Sequence, residues 1–112
     1  MNAVNSSHLH HEFCPLDTTI KIISGRWKSI ILCRLKDQSL HFNELSRQIP
    51  ECTRRMLALQ LKELVNDGIL LRVIDGQKIS YQLSPLGHRL LPILLEMNDW
   101  GKTYLMQKKS SL

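Results

Sequence analysis

The sequence predicts a mainly α-helical domain with one small β-hairpin, and three observations carry that prediction. Between positions 50 and 68, Pro50 and a capping Thr53 introduce a helix with Arg54 and Arg55 in its first turn. Leu57, Leu61, Leu64 and Val65 line one face of it, and Asp67-Gly68 ends it. Directly afterwards, residues 69–74 and 78–83 flank Asp75-Gly76, the strongest short hairpin signal available, since a tight turn of this kind needs positive φ. Amphipathic stretches precede and follow this pair. An all-helical reading fails over residues 72–83, where Val73, Ile79 and Tyr81 favour strands and Gly76 interrupts any helix.

Taken in order, residues 1–13 have little apolar content and no period, and read as a flexible arm. Residues 15–24 begin on proline, which suits a first helical position, and set Leu16, Ile20 and Ile23 along one face. Gly25 breaks this helix. Residues 26–35 repeat the pattern with Trp27, Ile30, Ile31 and Leu35 inward. Asp37-Gln38-Ser39 turns the chain, and Leu40-His41 makes a short strand that closes the sheet beside the hairpin. Residues 42–49 form a short helix holding Leu45 and Ile49 against the core, and Pro50-Glu51-Cys52 turns into the long helix of residues 53–67. Ser84 caps a further helix with Pro85 at its first position. Pro92 is expected to break or kink it, and residues 93–106 continue as a last amphipathic helix bearing Trp100 and Tyr104. The chain thus divides into an arm (1–13), a folded domain (14–106) and a frayed tail (107–112). Its element order is that of a winged helix-turn-helix.

Composition narrows the function. A chain of 112 residues, 43% hydrophobic, holds one core but not two. Its net charge of +5 suits an anionic partner. No stretch approaches the roughly 20 apolar residues of a membrane span, and the polar first dozen residues do not read as a signal peptide. Cys14, Cys33 and Cys52 form no Cys-x-x-Cys pair and leave an odd thiol, which favours a reducing cytoplasm. An enzyme is disfavoured, because no paired carboxylates, glycine-rich phosphate loop or Ser-His-Asp arrangement in recognisable context is present. His8, His10 and His11 lie near Cys14, but no second ligand set with suitable spacing appears, so neither metal nor cofactor is expected.

The long helix can bury its leucines while Arg55, Ala58, Leu59 and Lys62 face outward, the arrangement by which a recognition helix enters a DNA major groove. Arg55 suits a base edge, with guanine accepting a two-pronged hydrogen bond, and Ala58 or Leu59 suits a thymine methyl. Thr53 and Arg54, at the helix start, suit phosphates. Arg47 on the preceding helix and Lys78 near the wing tip are further phosphate candidates, and Lys28 a weaker one. Asn43 either donates to a phosphate or caps its own helix, and the cap is the preferred reading. The contrasting reading is a winged helix that meets only proteins, whose face would be neutral or acidic. Terminal helices bearing Leu16, Ile20, Ile23, Ile93, Met97, Trp100 and Tyr104 carry more apolar surface than one small core needs. A two-fold mate would cover it, or else both helices fold back on their own domain.

These residues resemble the HxlR-type branch of winged helix-turn-helix transcriptional regulators, relatives of the MarR group. The matching pieces are Cys14-Pro15, then Ser24-Gly25-Arg26-Trp27-Lys28, then Leu40-His41-Phe42-Asn43-Glu44-Leu45. Ile49-Pro50, Met56-Leu57, Gln60-Leu61-Lys62-Glu63-Leu64, Tyr81-Gln82-Leu83-Ser84, Leu86-Gly87 and Trp100-Gly101 follow in order. The resemblance implies a homodimeric repressor or activator on a short inverted repeat, often answering oxidants or electrophiles through the N-terminal cysteine. Here that residue is Cys14, whose place before Pro15 sets its sulfur near free helix N–H groups, surroundings that favour a thiolate. Local chemistry alone leaves a partly buried structural cysteine equally open. Cys33 reads as packing, while Cys52 sits in the turn before the recognition helix. The family commonly has a longer, proline-containing wing, and polar residues where Ala58 and Leu59 stand.

Overall fold

Residues 14–111 are described in a computed structural model of the chain. The expected arm of residues 1–13, with His8, His10 and His11, and the final Leu112 lie outside the described residues. Helix α1 (Pro15–Ile23) opens on its proline and buries no residue completely. The chain turns at Gly25 with φ 101° and enters α2 (Lys28–Arg34). This helix starts later than its apolar pattern suggests, which turns Lys28, Ile31, Leu32 and the following Leu35 inward and leaves Trp27 and Ile30 half-buried. Strand β1 (Leu40–His41) runs into α3 (Phe42–Gln48), with Leu45 and Ile49 in the core.

Helix α4 (Arg54–Asn66) buries Leu57, Leu61 and Leu64. It ends in a Schellman motif: Gly68 N–H donates to Val65 O at 3.0 Å and Ile69 N–H to Leu64 O at 2.9 Å. Strands β2 (Leu70–Asp75) and β3 (Lys78–Leu83) pair antiparallel from Leu70↔Leu83 to Asp75↔Lys78. The two-residue loop is therefore Gly76-Gln77, one position later than the Asp75-Gly76 pair the sequence suggests. Gly76, at φ 64°, supplies the positive φ at the first loop position. β1 lies on the other side of β3, giving the order β1-β3-β2.

Helix α5 (Pro85–Ser111) is one element of 27 residues, and this corrects the expected break at Pro92 and the expected tail. Pro92 lies inside it without breaking it. The proline removes one donor, the N–H that would meet the His88 carbonyl, while Leu90, Leu91 and Leu94 are buried on either side and hold the helix to the core. Residues 107–111, expected as a frayed tail, continue the same helix. Beyond Leu94 no side chain of α5 is buried among the described residues. The radius of gyration, 16.9 Å, accordingly exceeds the roughly 13 Å of a compact 100-residue domain.

One core contact was not legible from pattern. Lys28, which the sequence suggests as a weak phosphate contact, is buried and pairs with Glu63 of α4 at 2.7 Å. It joins α2 to α4 and does not reach solvent as a DNA ligand would. Glu63 is nearly half exposed, so the pair is only partly dry. Glu63→Ala strands a buried ammonium and is expected to lower stability by about 2 kcal/mol, whereas Lys28→Met is expected to stay within about 1 kcal/mol. Urea unfolding of both variants checks this asymmetry.

Candidate nucleic-acid interface

The buried leucines of α4 set what its opposite side presents. Arg55, Ala58, Leu59 and Lys62, spaced to share one helical face, are all exposed. Thr53 is the cap residue, its Oγ1 accepting from Met56 N–H at 3.1 Å, and its own hydroxyl proton remains available to a phosphate. The order of elements thus holds an uncovered, partly cationic helix face beside a two-stranded wing.

Contacts with α3 place the first-turn cation. Arg54 Nη2 donates to Asn43 Oδ1 at 2.9 Å, and the guanidinium lies 4.8 Å from the centre of the Phe42 ring. Asn43 is therefore not the cap of α3: that position belongs to His41, whose N–H donates to Glu44 Oε1 at 2.8 Å. Asn43 instead orients Arg54, a role the sequence did not suggest because the two residues are eleven positions apart. Phe42 was equally missed. Its aromatic face supports the cation and reduces the conformational freedom Arg54 would lose on meeting a phosphate. Arg47, Arg54, Asn43 and Lys78 line one open groove of about 620 Å³ between α3, the start of α4 and the wing tip. Glu44 lines it too, with one carboxylate oxygen already engaged by His41. Three of the expected phosphate ligands are thus brought together by the fold.

The three cysteines differ. Cys14 is the half-buried cap residue of α1, but its sulfur makes no cap hydrogen bond; its carbonyl accepts from Thr18 N–H at 3.1 Å. Cys33 is half-buried and packs against the core, as expected. Cys52 is buried, and burial pushes its thiol pKa up, with the Arg26 guanidinium partly offsetting the rise. A thiol held protonated in the core is poorly placed to react.

The residues expected at a two-fold interface are mostly uncovered. Leu16 is 65% exposed and Trp100 69%, and Ile20, Ile93, Met97 and Tyr104 are exposed as well. Ile23 differs, being half-buried against the core of its own chain. Trp100 and Tyr104 stack on each other, ring centres 5.6 Å apart. Among the described residues no cluster of three or more His, Cys, Asp or Glu is placed to hold a metal, and no helix is long and apolar enough to cross a membrane.

Helix-turn-helix, antiparallel wing and exposed basic helix face together define a winged helix-turn-helix of the DNA-binding class. The comparison with known proteins is more specific. Residues 22–109 match the model of the HxlR-like helix-turn-helix, and the chain belongs to that family of transcriptional regulators. The HTH-type transcriptional regulator YdeP of Bacillus subtilis (strain 168) is 45% identical over 96 residues, covering 83% of this chain and 75% of YdeP. The redox regulator HypR in its reduced form superposes with a TM-score of 0.78 at 39% identity, over 86% of this chain and 98% of HypR. Reduced YodB from B. subtilis gives 0.75 at 29% identity, over 82% of this chain and 94% of YodB.

Proposed function

We propose that this transcriptional regulator is a cytoplasmic homodimer that reads an inverted-repeat operator and is released or engaged through Cys14. The observation that carries the reading is the exposed face of α4 (Arg55, Ala58, Leu59, Lys62) beside a groove lined by Arg47, Arg54 and Lys78. In this reading α4 enters the major groove, Arg55 meets a base edge, and Thr53, Arg54, Arg47 and Lys78 hold phosphates, with Asn43 steadying Arg54. The uncovered apolar faces of α1 and α5 (Leu16, Ile20, Ile93, Met97, Trp100, Tyr104) pack on a second copy. Two recognition helices then stand about 34–36 Å apart, one turn of duplex.

Cys14 sits at the start of α1, the helix that buries least in its own protomer, so a change at its sulfur acts on the dimer and hence on half-site spacing. Peroxide converts the thiol to a sulfenic acid with release of water, and the thiol of the partner's Cys14 then condenses with it to a disulfide with loss of a second water. That HypR is a redox regulator solved in reduced and oxidized forms, and that YodB has been solved with quinone bound, supports an oxidant or electrophile as the signal.

Selection of bound DNA from a random duplex pool, with the protein reduced and then oxidised, tests the proposal. An inverted repeat recovered in one redox state alone is the expected result, and Cys14→Ser should then bind alike in both. The same repeat in both states with wild-type protein overturns the thiol switch. No enriched sequence overturns specific DNA recognition.

A further inference from the structure

Lys62 on α4 and Arg72 on β2 line one recess of about 320 Å³, completed by Ala58, Val65, Asn66 and Tyr81. Arg72 pairs with Tyr81 across the wing, two positions from the buried Leu70↔Leu83 pair and so on the same sheet face. No acidic side chain lines the recess, and among the described residues neither Lys62 nor Arg72 has a carboxylate partner. Tyr81 is half-buried, and its hydroxyl finds no hydrogen-bond partner among the described residues. Lys62, Arg72 and Tyr81 thus line one small, largely apolar recess to which no acidic residue contributes.

We propose that this recess seats a phosphodiester of the bound duplex, held by Lys62, Arg72 and the Tyr81 hydroxyl. The proposal rests on the DNA-binding reading above. An anion there would be met by both cations, take the fork of the arginine on two oxygens, and accept the phenol proton. Ala58 and Lys62 also belong to the outward face of α4, so the occupant lies beside the base pairs that face reads. Lys62 stands eight residues beyond Arg54, about 12 Å along the helix at 1.5 Å per residue. The seat therefore extends phosphate contact from the groove at the start of α4 to its far half, and gives the body of the wing, rather than its tip alone, a part in docking. Neither Arg72 nor Tyr81 belongs to the helix-start pattern by which basic DNA ligands are sought in a sequence.

Affinity of the full chain for its selected operator and for a scrambled duplex, measured against salt, tests this. If wild-type protein binds neither duplex, the DNA-binding reading itself fails. Given binding, Arg72→Met, which keeps the apolar stem, is expected to weaken both duplexes equally. The loss should be on the order of tenfold at 0.1 M salt, with the salt slope smaller by about one. Arg72→Lys should restore the slope, and Tyr81→Phe should lose affinity without changing it. An unchanged slope in Arg72→Met, beside a reduced one in Lys78→Met, overturns the seat. So does thermal stabilisation of wild-type protein, but not of Arg72→Met, by inorganic phosphate at constant ionic strength together with an unchanged slope, since the occupant is then a free anion.

Discussion

Gly87→Ala is expected to lower stability by about 3 kcal/mol and the melting temperature by more than about 10 °C, read by thermal unfolding. A Cβ at this position would stand 2.3 Å from the carbonyl oxygen of Ile69, which is backbone and cannot swing aside. That carbonyl is the centre of a joint. It accepts from Ser84 N–H at 3.0 Å, and Ser84 Oγ lies 3.0 Å from it and 2.6 Å from Gly68 O. Ser84 Oγ in turn accepts from Gly87 N–H at 3.0 Å, capping α5. The end of the recognition helix, the root of the wing and the start of the terminal helix meet within these few atoms. Pushing Gly87 away from Ile69 breaks the cap and shifts α5 relative to α4, so reduced affinity for DNA should accompany the lost stability. A melting temperature within 2–3 °C of wild type would show that the joint yields without cost.

Arg55→Ala is expected to cost about 1–3 kcal/mol of operator affinity, roughly 5- to 150-fold, and to relax preference at one base pair. Arg55 is exposed on the outward face of α4, and no hydrogen bond or ion pair among the described residues holds it. Arg54, its neighbour, is engaged by Asn43 and Phe42 and so is held in one place, as the proposed phosphate contact requires. The contrast separates their roles. Arg55→Lys should recover little of the lost preference, because an ammonium cannot make the two parallel hydrogen bonds a guanine edge offers. If Arg55→Ala instead weakens every sequence equally and reduces the salt slope, Arg55 is a phosphate contact and the base is read elsewhere.

Much of the fold was legible in the chain because its signals are local. The leucine spacing of α4, the Thr53 cap, the Ser84-Pro85 start of α5 and the glycine in the wing turn each depend on residues within a few positions of one another. The outward set Arg55, Ala58, Leu59 and Lys62 followed from the same helical period. The break expected at Pro92 shows where local reasoning overreached. Proline disfavours a helix interior, yet burial of Leu90, Leu91 and Leu94 outweighs one missing hydrogen bond.

What the sequence determined by itself, then, was the kind and order of elements and which side of each is apolar, since periodicity and capping act over one or two turns. Only the tertiary structure decided which polar groups meet. It turned Lys28 inward onto Glu63, 35 positions away, tied Arg54 to Asn43, placed Gly87 against Ile69, and set Arg72 beside Lys62. Such contacts arise from how packed elements cross, and the energy of a polar group depends on burial and partners that no local pattern records.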